Sequence, residues 1–278
     1  MGADGGGISL KRVDVFTGQI EEIPAGPDIA VTGEYSCLGV SALAHCVYVG
    51  TKKGTILRYD RLSKLMNKIG QDSAAIVGIQ VLDGLDKLLY ATAYAVKDLT
   101  AGKTLYQAPG DPDISLLGYC RSNGDLYIGM GPDVVQYNFS TQKDHLLAPL
   151  HKAVVTSCHC ADSTGSFLTT SLDNNAILWS PNGNSGQVLK GSRSELYDGD
   201  LAPDGSYAIT AGNREMNAGE QADTGTLKFW YLKGFLKKEF KEAHFMGVTA
   251  SVMIGGAISS FRRGPTGGSF AGIHPSAR

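Results

Sequence analysis

Apolar and polar positions alternate along this chain in short runs, and the runs come in pairs separated by turn residues. The clearest stretch is HKAVVTSCHCADSTGSFLTTSLDNNAILW, from His151 to Trp179. Residues 154–160 alternate with the period of two expected of a half-buried strand. Asp162-Ser163-Thr164-Gly165 makes a polar turn, Phe167–Ser171 a second strand, Asp173-Asn174-Asn175 a tight turn and Ala176–Trp179 a third strand. Asp and Asn suit the tight turn because their side chains bond nearby backbone N–H groups and tolerate positive φ. Residues 13–23 are predicted in the same way as a strand, a Thr-Gly turn and another strand.

The same grammar recurs. Strands that precede the tight turn start near Tyr48, Tyr90, Tyr127, Leu168 and Ile209, at spacings of 42, 37, 41 and 41 residues. A period near 40 with paired β runs in each unit is the sequence sign of a β-propeller blade. Such a unit cannot bury both of its faces alone, so neighbours must stack. Turns at Lys53-Gly54, Pro132-Asp133, Asp173-Asn174 and Asp223-Thr224-Gly225 divide the paired strands, and the later strand ends on Tyr59, Tyr137, Trp179 or Trp230. These aromatics offer the large apolar area that anchors one unit on the next. His151, Asp173 and Trp179 sit where WD-type repeats place theirs, and His244 restarts the pattern.

The fold class expected is therefore all-β, a WD-repeat β-propeller over residues 13–254 with about five to six blades visible. Residues 1–12 are expected to be a flexible start, and 255–278 a poorly defined tail or partial last blade. The second unit departs from the pattern through a turn extended over 95–102 before Lys103–Gln107, and the fifth through a polar loop inserted at 213–221.

Composition narrows the chemistry. A net charge of −2 over 278 residues gives no electrostatic footprint of nucleic-acid binding. The 36 glycines suit many short strands joined by tight turns. No apolar run is long enough to span a bilayer, and MGADGGGISLKR lacks the apolar run of a signal peptide. The expected location is the cytoplasm, with Cys37, Cys46, Cys120, Cys158 and Cys160 as reduced thiols. Cys158-His159-Cys160 has metal-binding residue types, but on a strand the two cysteines share one face and the histidine points to the other, so no metal site is predicted. His151, Asp173 and a hydroxyl from Thr169, Thr170 or Ser171 have the composition of a catalytic set. Without a nucleophile-elbow motif they are predicted to be a buried hydrogen-bond network instead, and neither enzymatic activity nor a cofactor is expected. The basic run at 233–241 is read as an exposed outer strand and turn.

Residues 113–251 resemble eukaryotic translation initiation factor 3 subunit I, a family of seven-bladed WD-repeat propellers. The resemblance is carried by Ala211-Gly212-Asn213-Arg214-Glu215-Met216-Asn217, Gly225-Thr226-Leu227-Lys228-Phe229-Trp230, Lys238-Glu239-Phe240 and Ala243-His244-Phe245-Met246-Gly247. It is close over roughly half of the chain and holds only in outline over 46–107. The family's first blade needs more residues before Val13, and its closing Asp-Gly turn and last strand have no counterpart after Ile254, which suits a chain incomplete at both ends. The resemblance implies a non-enzymatic scaffold that binds subunits B and G through its propeller faces during assembly of the 43S preinitiation complex. Contact with the small ribosomal subunit would be indirect, with no sequence-specific nucleic-acid binding and no membrane. It makes Asp162, Ser163 and Ser180 candidate partner contacts, with Asp162 set to pair with an Arg of a partner helix. The plainer reading of Asp162 is a turn former. His151, Asp173, Trp179, Trp230 and His244 are then structural. The alternative is a signalling or trafficking adaptor resembling the serine/threonine kinase receptor-associated protein; the insertion at 213–224 favours the initiation-factor resemblance.

Overall fold

Short strands joined by tight turns leave each strand room only for an antiparallel return onto its predecessor. The computed structural model follows that rule. It describes residues 10–13, 17, 19–23, 34–41, 43–111, 113–189, 194–213, 224–231, 236–245, 250–254, 257–263 and 269–274. The chain divides into two compact units, Met1–Ile114 with Gly264–Ser269, and Ser115–Arg263 with Phe270–Arg278.

In the first unit, β1 (Leu10–Val13) and β2 (Ile20–Ile23) form a hairpin. Its register sets Leu10 opposite Ile23, Lys11 opposite Glu22, Arg12 opposite Glu21 and Val13 opposite Ile20. The first strand thus begins three residues before the predicted one, inside the segment expected to be flexible. The rest of that segment, residues 1–9, lies outside the described residues. Strands β3 (Tyr35–Ser41), β4 (Cys46–Thr51), β5 (Thr55–Asp60) and β6 (Leu65–Gln71) form a four-stranded sheet in chain order. A second is built from β7 (Gly78–Leu82), β8 (Lys87–Ala91), β9 (Ala95–Asp98) and β10 (Lys103–Gln107). Here the prediction of a long turn over 95–102 is corrected. Ala95, Val96 and Asp98 are buried, and the turn lies earlier, at 92–94, where the Thr92 hydroxyl accepts the Ala95 N–H at 3.2 Å.

The second unit holds three more four-stranded sheets. The first is β11 (Ile114–Cys120), β12 (Asp125–Met130), β13 (Asp133–Asn138) and β14 (Lys143–Leu146). The second is β15 (Val155–Cys160), β16 (Phe167–Ser171), β17 (Ala176–Trp179) and β18 (Gly186–Leu189). The third is β19 (Leu196–Leu201), β20 (Tyr207–Asn213), β21 (Thr224–Tyr231) and β22 (Leu236–Phe245). Strands β23 (Ala250–Ile254), β24 (Ala257–Arg263) and β25 (Ser269–His274) form a three-stranded sheet. Most of the polar insertion (214–223), the start of the basic run (233–235), and Met246-Gly247 lie outside the described residues, as does the side chain of His244. Among the described residues the fold is all-β, and no helix is long and apolar enough to cross a membrane.

Successive sheets within each unit meet through contacts that recur every 40 residues. The Ser36 hydroxyl donates to Ile76 O, Ser115 to Val155 O and Thr156 to Leu196 O. Each bond runs from the first strand of one sheet to the start of the next. Close approach there requires glycine at Gly118, where a Cβ would come within 2.7 Å of the Cys158 carbonyl oxygen. The predicted aromatics fill the spaces between sheets. Trp179 lies in one cluster with Leu116, Tyr127 and Leu147 of the preceding sheet, and Trp230 in another with Leu168 and Leu189. The rings of Phe167 and Trp179 stack with centroids 5.8 Å apart. Tyr59 and Tyr137 are likewise buried.

The cysteines depart from expectation. Cys120 ends β11 and Cys160 ends β15, 40 positions apart, and the two are joined as a disulfide with Cα atoms 5.3 Å apart. A separation equal to the repeat sets them at the same place on neighbouring first strands, which is why they meet. Cys37, Cys46 and Cys158 remain thiols. Burial pushes the Cys37 thiol up to about 11, the direction of an unreactive core cysteine.

Trp179→Ala is expected to cost about 3–5 kcal/mol in urea unfolding; a loss below about 1 kcal/mol would mean that the ring is not a bridge between sheets. Non-reducing digestion should yield one linked pair of peptides containing Cys120 and Cys160. Reduction or Cys160→Ser should each lower stability by about 2–4 kcal/mol, with no further loss when they are combined.

Candidate functional site

The loop before β15 carries His151, β16 carries Thr169, the turn after it carries Asp173 and β17 ends on Trp179. Antiparallel pairing folds these four segments together. The His151 Nδ1 lies 3.1 Å from Asp173 Oδ2 and its Nε2 lies 2.8 Å from Thr169 Oγ1. The indole N–H of Trp179 donates to that hydroxyl at 2.8 Å. Asp173 also accepts the N–H groups of Lys152 at 2.7 Å and Asn175 at 2.9 Å. One placement of protons satisfies every contact: imidazole Nδ1–H donates to Asp173, the Thr169 hydroxyl donates to Nε2, and the indole donates to Thr169. Thr169, rather than Thr170 or Ser171, is thus the hydroxyl of the network. It is fully buried and engaged on both sides, so this set presents no exposed nucleophile. Thr210 and Trp230 repeat the last link at 2.9 Å in the next sheet.

That proton placement needs a neutral imidazole. Burial pushes the His151 pKa down, against the pull of Asp173. Burial pushes Asp173 the other way, but the Lys152 and Asn175 N–H groups and His151 outweigh it and hold the carboxyl below its usual range.

The turns at the other end of this sheet carry the candidate partner contacts. They are bonded to the turns of both neighbouring sheets. The side-chain amide of Asn123 donates to Pro181 O at 3.0 Å. Both the hydroxyl and the N–H of Ser163 donate to Pro203 O, at 2.8 and 3.1 Å. Ser180 donates to Asn182 Oδ1 at 2.9 Å and accepts the Ser185 N–H at 3.1 Å. Ser163 and Ser180 are therefore spent on holding this rim together. Asp162 is exposed on it, and its carboxylate makes no bond among the described residues. The turn former here is Thr164, whose hydroxyl accepts the Ser166 N–H at 3.3 Å, as Asp204, 40 positions on, accepts the Ser206 N–H at 2.9 Å and hydroxyl at 2.6 Å in the next sheet.

Cys158, His159 and Cys160 diverge. Cys158 packs on Gly118 and Cys160 is linked to Cys120. His159 reaches toward β19, where Asp198 and Asp200 share one face and flank the ring, each 3.5 Å from a different nitrogen. The side chain is 42% exposed; what burial it has opposes charge on the imidazole, but the two carboxylates prevail and raise its pKa. Among the described residues no group of acidic, histidine and cysteine side chains is suited to hold a metal ion.

A further cluster went unnoticed in the sequence. In the β7–β10 sheet, Tyr90 faces Lys97 across the strand pair just as Thr169 faces Ile177, and Asp72 lies in the preceding loop as His151 does. Asp72 Oδ2 accepts the Lys97 ammonium at 2.7 Å and the Tyr90 hydroxyl at 3.0 Å. Burial and the neighbouring carboxylate push Tyr90 up to about 12. An acid–tyrosine–lysine set thus stands where the other sheet has its Asp–His–Thr–Trp chain. Only alignment of the repeats could have pointed to it.

No family model matches the chain, and no curated protein matches it in sequence.

The two histidines should give opposite pH signatures in urea unfolding. The His151 pKa is lower in the folded protein than its unfolded value near 6.5, so its contribution is present above that pH and is lost as pH falls. The His159 pKa is raised above the same value, so its contribution is full below pH 6.5 and is lost as pH rises. His159→Gln should flatten the alkaline side of the stability profile and leave the acid side in place. A profile unchanged on the alkaline side would show that His159 is not paired with the two aspartates.

Proposed function

We propose that this chain is a non-enzymatic scaffold subunit of eukaryotic translation initiation factor 3, of the subunit I kind. In this reading it is a cytoplasmic seven-bladed WD-repeat propeller that holds subunits B and G during 43S preinitiation complex assembly. Seven sheets occur among the described residues, five of them four-stranded and antiparallel, which suits such a plan. The Asp173–His151–Thr169–Trp179 chain suits the polar network of a WD-type blade. The observation that carries the docking role is Asp162. Its carboxylate is exposed and unspent on a rim where Ser163 and Ser180 are committed to structure. A rim bonded across sheets, with the Asp162 carboxylate unbonded among the described residues, is suited to orient a partner helix through an Arg, since a charge fixed in place gives register and on-rate more than raw affinity. The resemblance of residues 211–247 to the family's late blade favours initiation factor 3 over other scaffolds.

The test is affinity purification of the tagged protein from its own cells, followed by mass spectrometry. Stoichiometric recovery of initiation factor 3 subunits and small-subunit ribosomal proteins is expected. Asp162→Lys should lower that recovery about tenfold, the loss of a charge-assisted contact, while the urea midpoint stays unchanged. Recovery of kinases or coat proteins without initiation factors would replace this reading with the signalling or trafficking adaptor.

A further inference from the structure

We infer that the Cys120–Cys160 disulfide is a thiol–disulfide exchange site, at which a small-molecule thiol such as glutathione adds to Cys160 and frees Cys120. The two cysteines differ in access. Cys120, at the end of β11, is fully buried, whereas Cys160, at the end of β15, is partly exposed. A thiolate arriving from solvent therefore meets Cys160 first, and attack on its sulfur makes Cys120 the leaving group. The exit of Cys120 is prepared. A disulfide sulfur carries no proton, so in the 3.2 Å contact between Cys120 Sγ and Ser122 Oγ the hydroxyl is the donor. Ser122 thus already bonds the atom on which negative charge develops. Its place is kept by Gly165 of the next sheet's turn, where a Cβ would come within 3.1 Å of the Ser122 Oγ.

The exchange needs no reagent besides the incoming thiol. Its sulfur forms a bond to Cys160 Sγ, the Cys120–Cys160 bond breaks, and the electron pair leaves on Cys120. Cys120 then takes up a proton in place of the one that the small thiol gave to solvent. One disulfide and one thiol become one mixed disulfide and one thiol. The third cysteine of this region does not compete. Cys158 lies in the same apolar cluster as Cys120, with Leu116, Tyr127 and Phe167. Burial there pushes its thiol pKa up, so it supplies little thiolate. The same surroundings favour protonation of the freed Cys120, which slows its return. The bond joins the first strands of two neighbouring sheets, and Cys160 lies two residues before Asp162. Opening it removes one tie beside that rim, while the Asn123–Pro181 and Ser163–Pro203 bonds remain. This chemistry requires no initiation-factor partner.

The test treats the full, folded chain with equimolar reduced glutathione near neutral pH, quenches early samples with N-ethylmaleimide, and maps each cysteine by peptide mass spectrometry. The expected product carries glutathione on Cys160 and N-ethylmaleimide on Cys120. Ser122→Ala should slow its formation about tenfold, the loss of a hydrogen bond to developing charge, and Ser122→Thr should restore the rate. Ser122 lies in an exposed turn, and the urea midpoint of each variant checks the fold. Mere loosening of that turn would speed opening, so a rate that is unchanged or faster in Ser122→Ala would overturn the role of Ser122. Glutathione found chiefly on Cys120, cleavage only after urea is added, or a Cys120–Cys158 linkage would overturn the exchange site itself. So would an isolated chain in which Cys120 and Cys160 are both free thiols.

Discussion

A four-stranded sheet whose two faces are both apolar is unstable until each face is covered, and covering them is the constraint on which this structure rests. The cover comes from the neighbouring sheet, and the repeat makes the cover periodic. Ser36 reaches Ile76, Ser115 reaches Val155 and Thr156 reaches Leu196, each by 40 positions. Large side chains at the end of third strands fill the remaining space, and a glycine such as Gly118 admits the neighbour where backbones come closest. Strand register, turn length and the placement of aromatics all answer to this one demand.

Within that frame the polar interior varies from sheet to sheet. In one sheet an Asp–His–Thr–Trp chain ties the incoming loop to the second and third strands. In another, Asp72, Tyr90 and Lys97 tie the same three segments with an ion pair. In a third, Asp125 accepts amides from Gln136 and Asn138, both at 2.6 Å. Each solution satisfies its buried groups, so the constraint is that partners exist rather than which residues supply them.

Much of this was legible in the sequence because the signal was local. The alternation of 154–160, the turn at 173–175 and the closing Trp179 and Trp230 lie within single units, and hydrophobic period and turn chemistry read them directly. What escaped detection depends on residues far apart in the chain. The 95–98 strand was misread because its unit lacks a closing aromatic: Leu99 takes that place, bonded through its N–H to Leu88 O and packed against the Ile56 cluster. The Cys120–Cys160 link is written in the spacing, yet only once 40 is known to mean neighbouring strands. Asp72, Tyr90 and Lys97 carried no motif at all, and neither did the pairing of His159 with Asp198 and Asp200. Of the candidate docking residues, Ser163 is bonded across to the next sheet's turn and Ser180 within its own turn, while the Asp162 carboxylate makes no bond among the described residues; none of this is visible in a local motif.

The pair of hydrogen bonds from Ser163 to Pro203 O has a mechanical consequence. A load applied at Asp162 falls one residue from a point where two donors grip the next sheet's turn. The force then passes into a second sheet instead of peeling the hairpin from its open end. Load spread over many strand-to-strand bonds in parallel is resisted far better than load that breaks them one at a time. A rim stitched across sheets is therefore harder to pull apart than a lone hairpin.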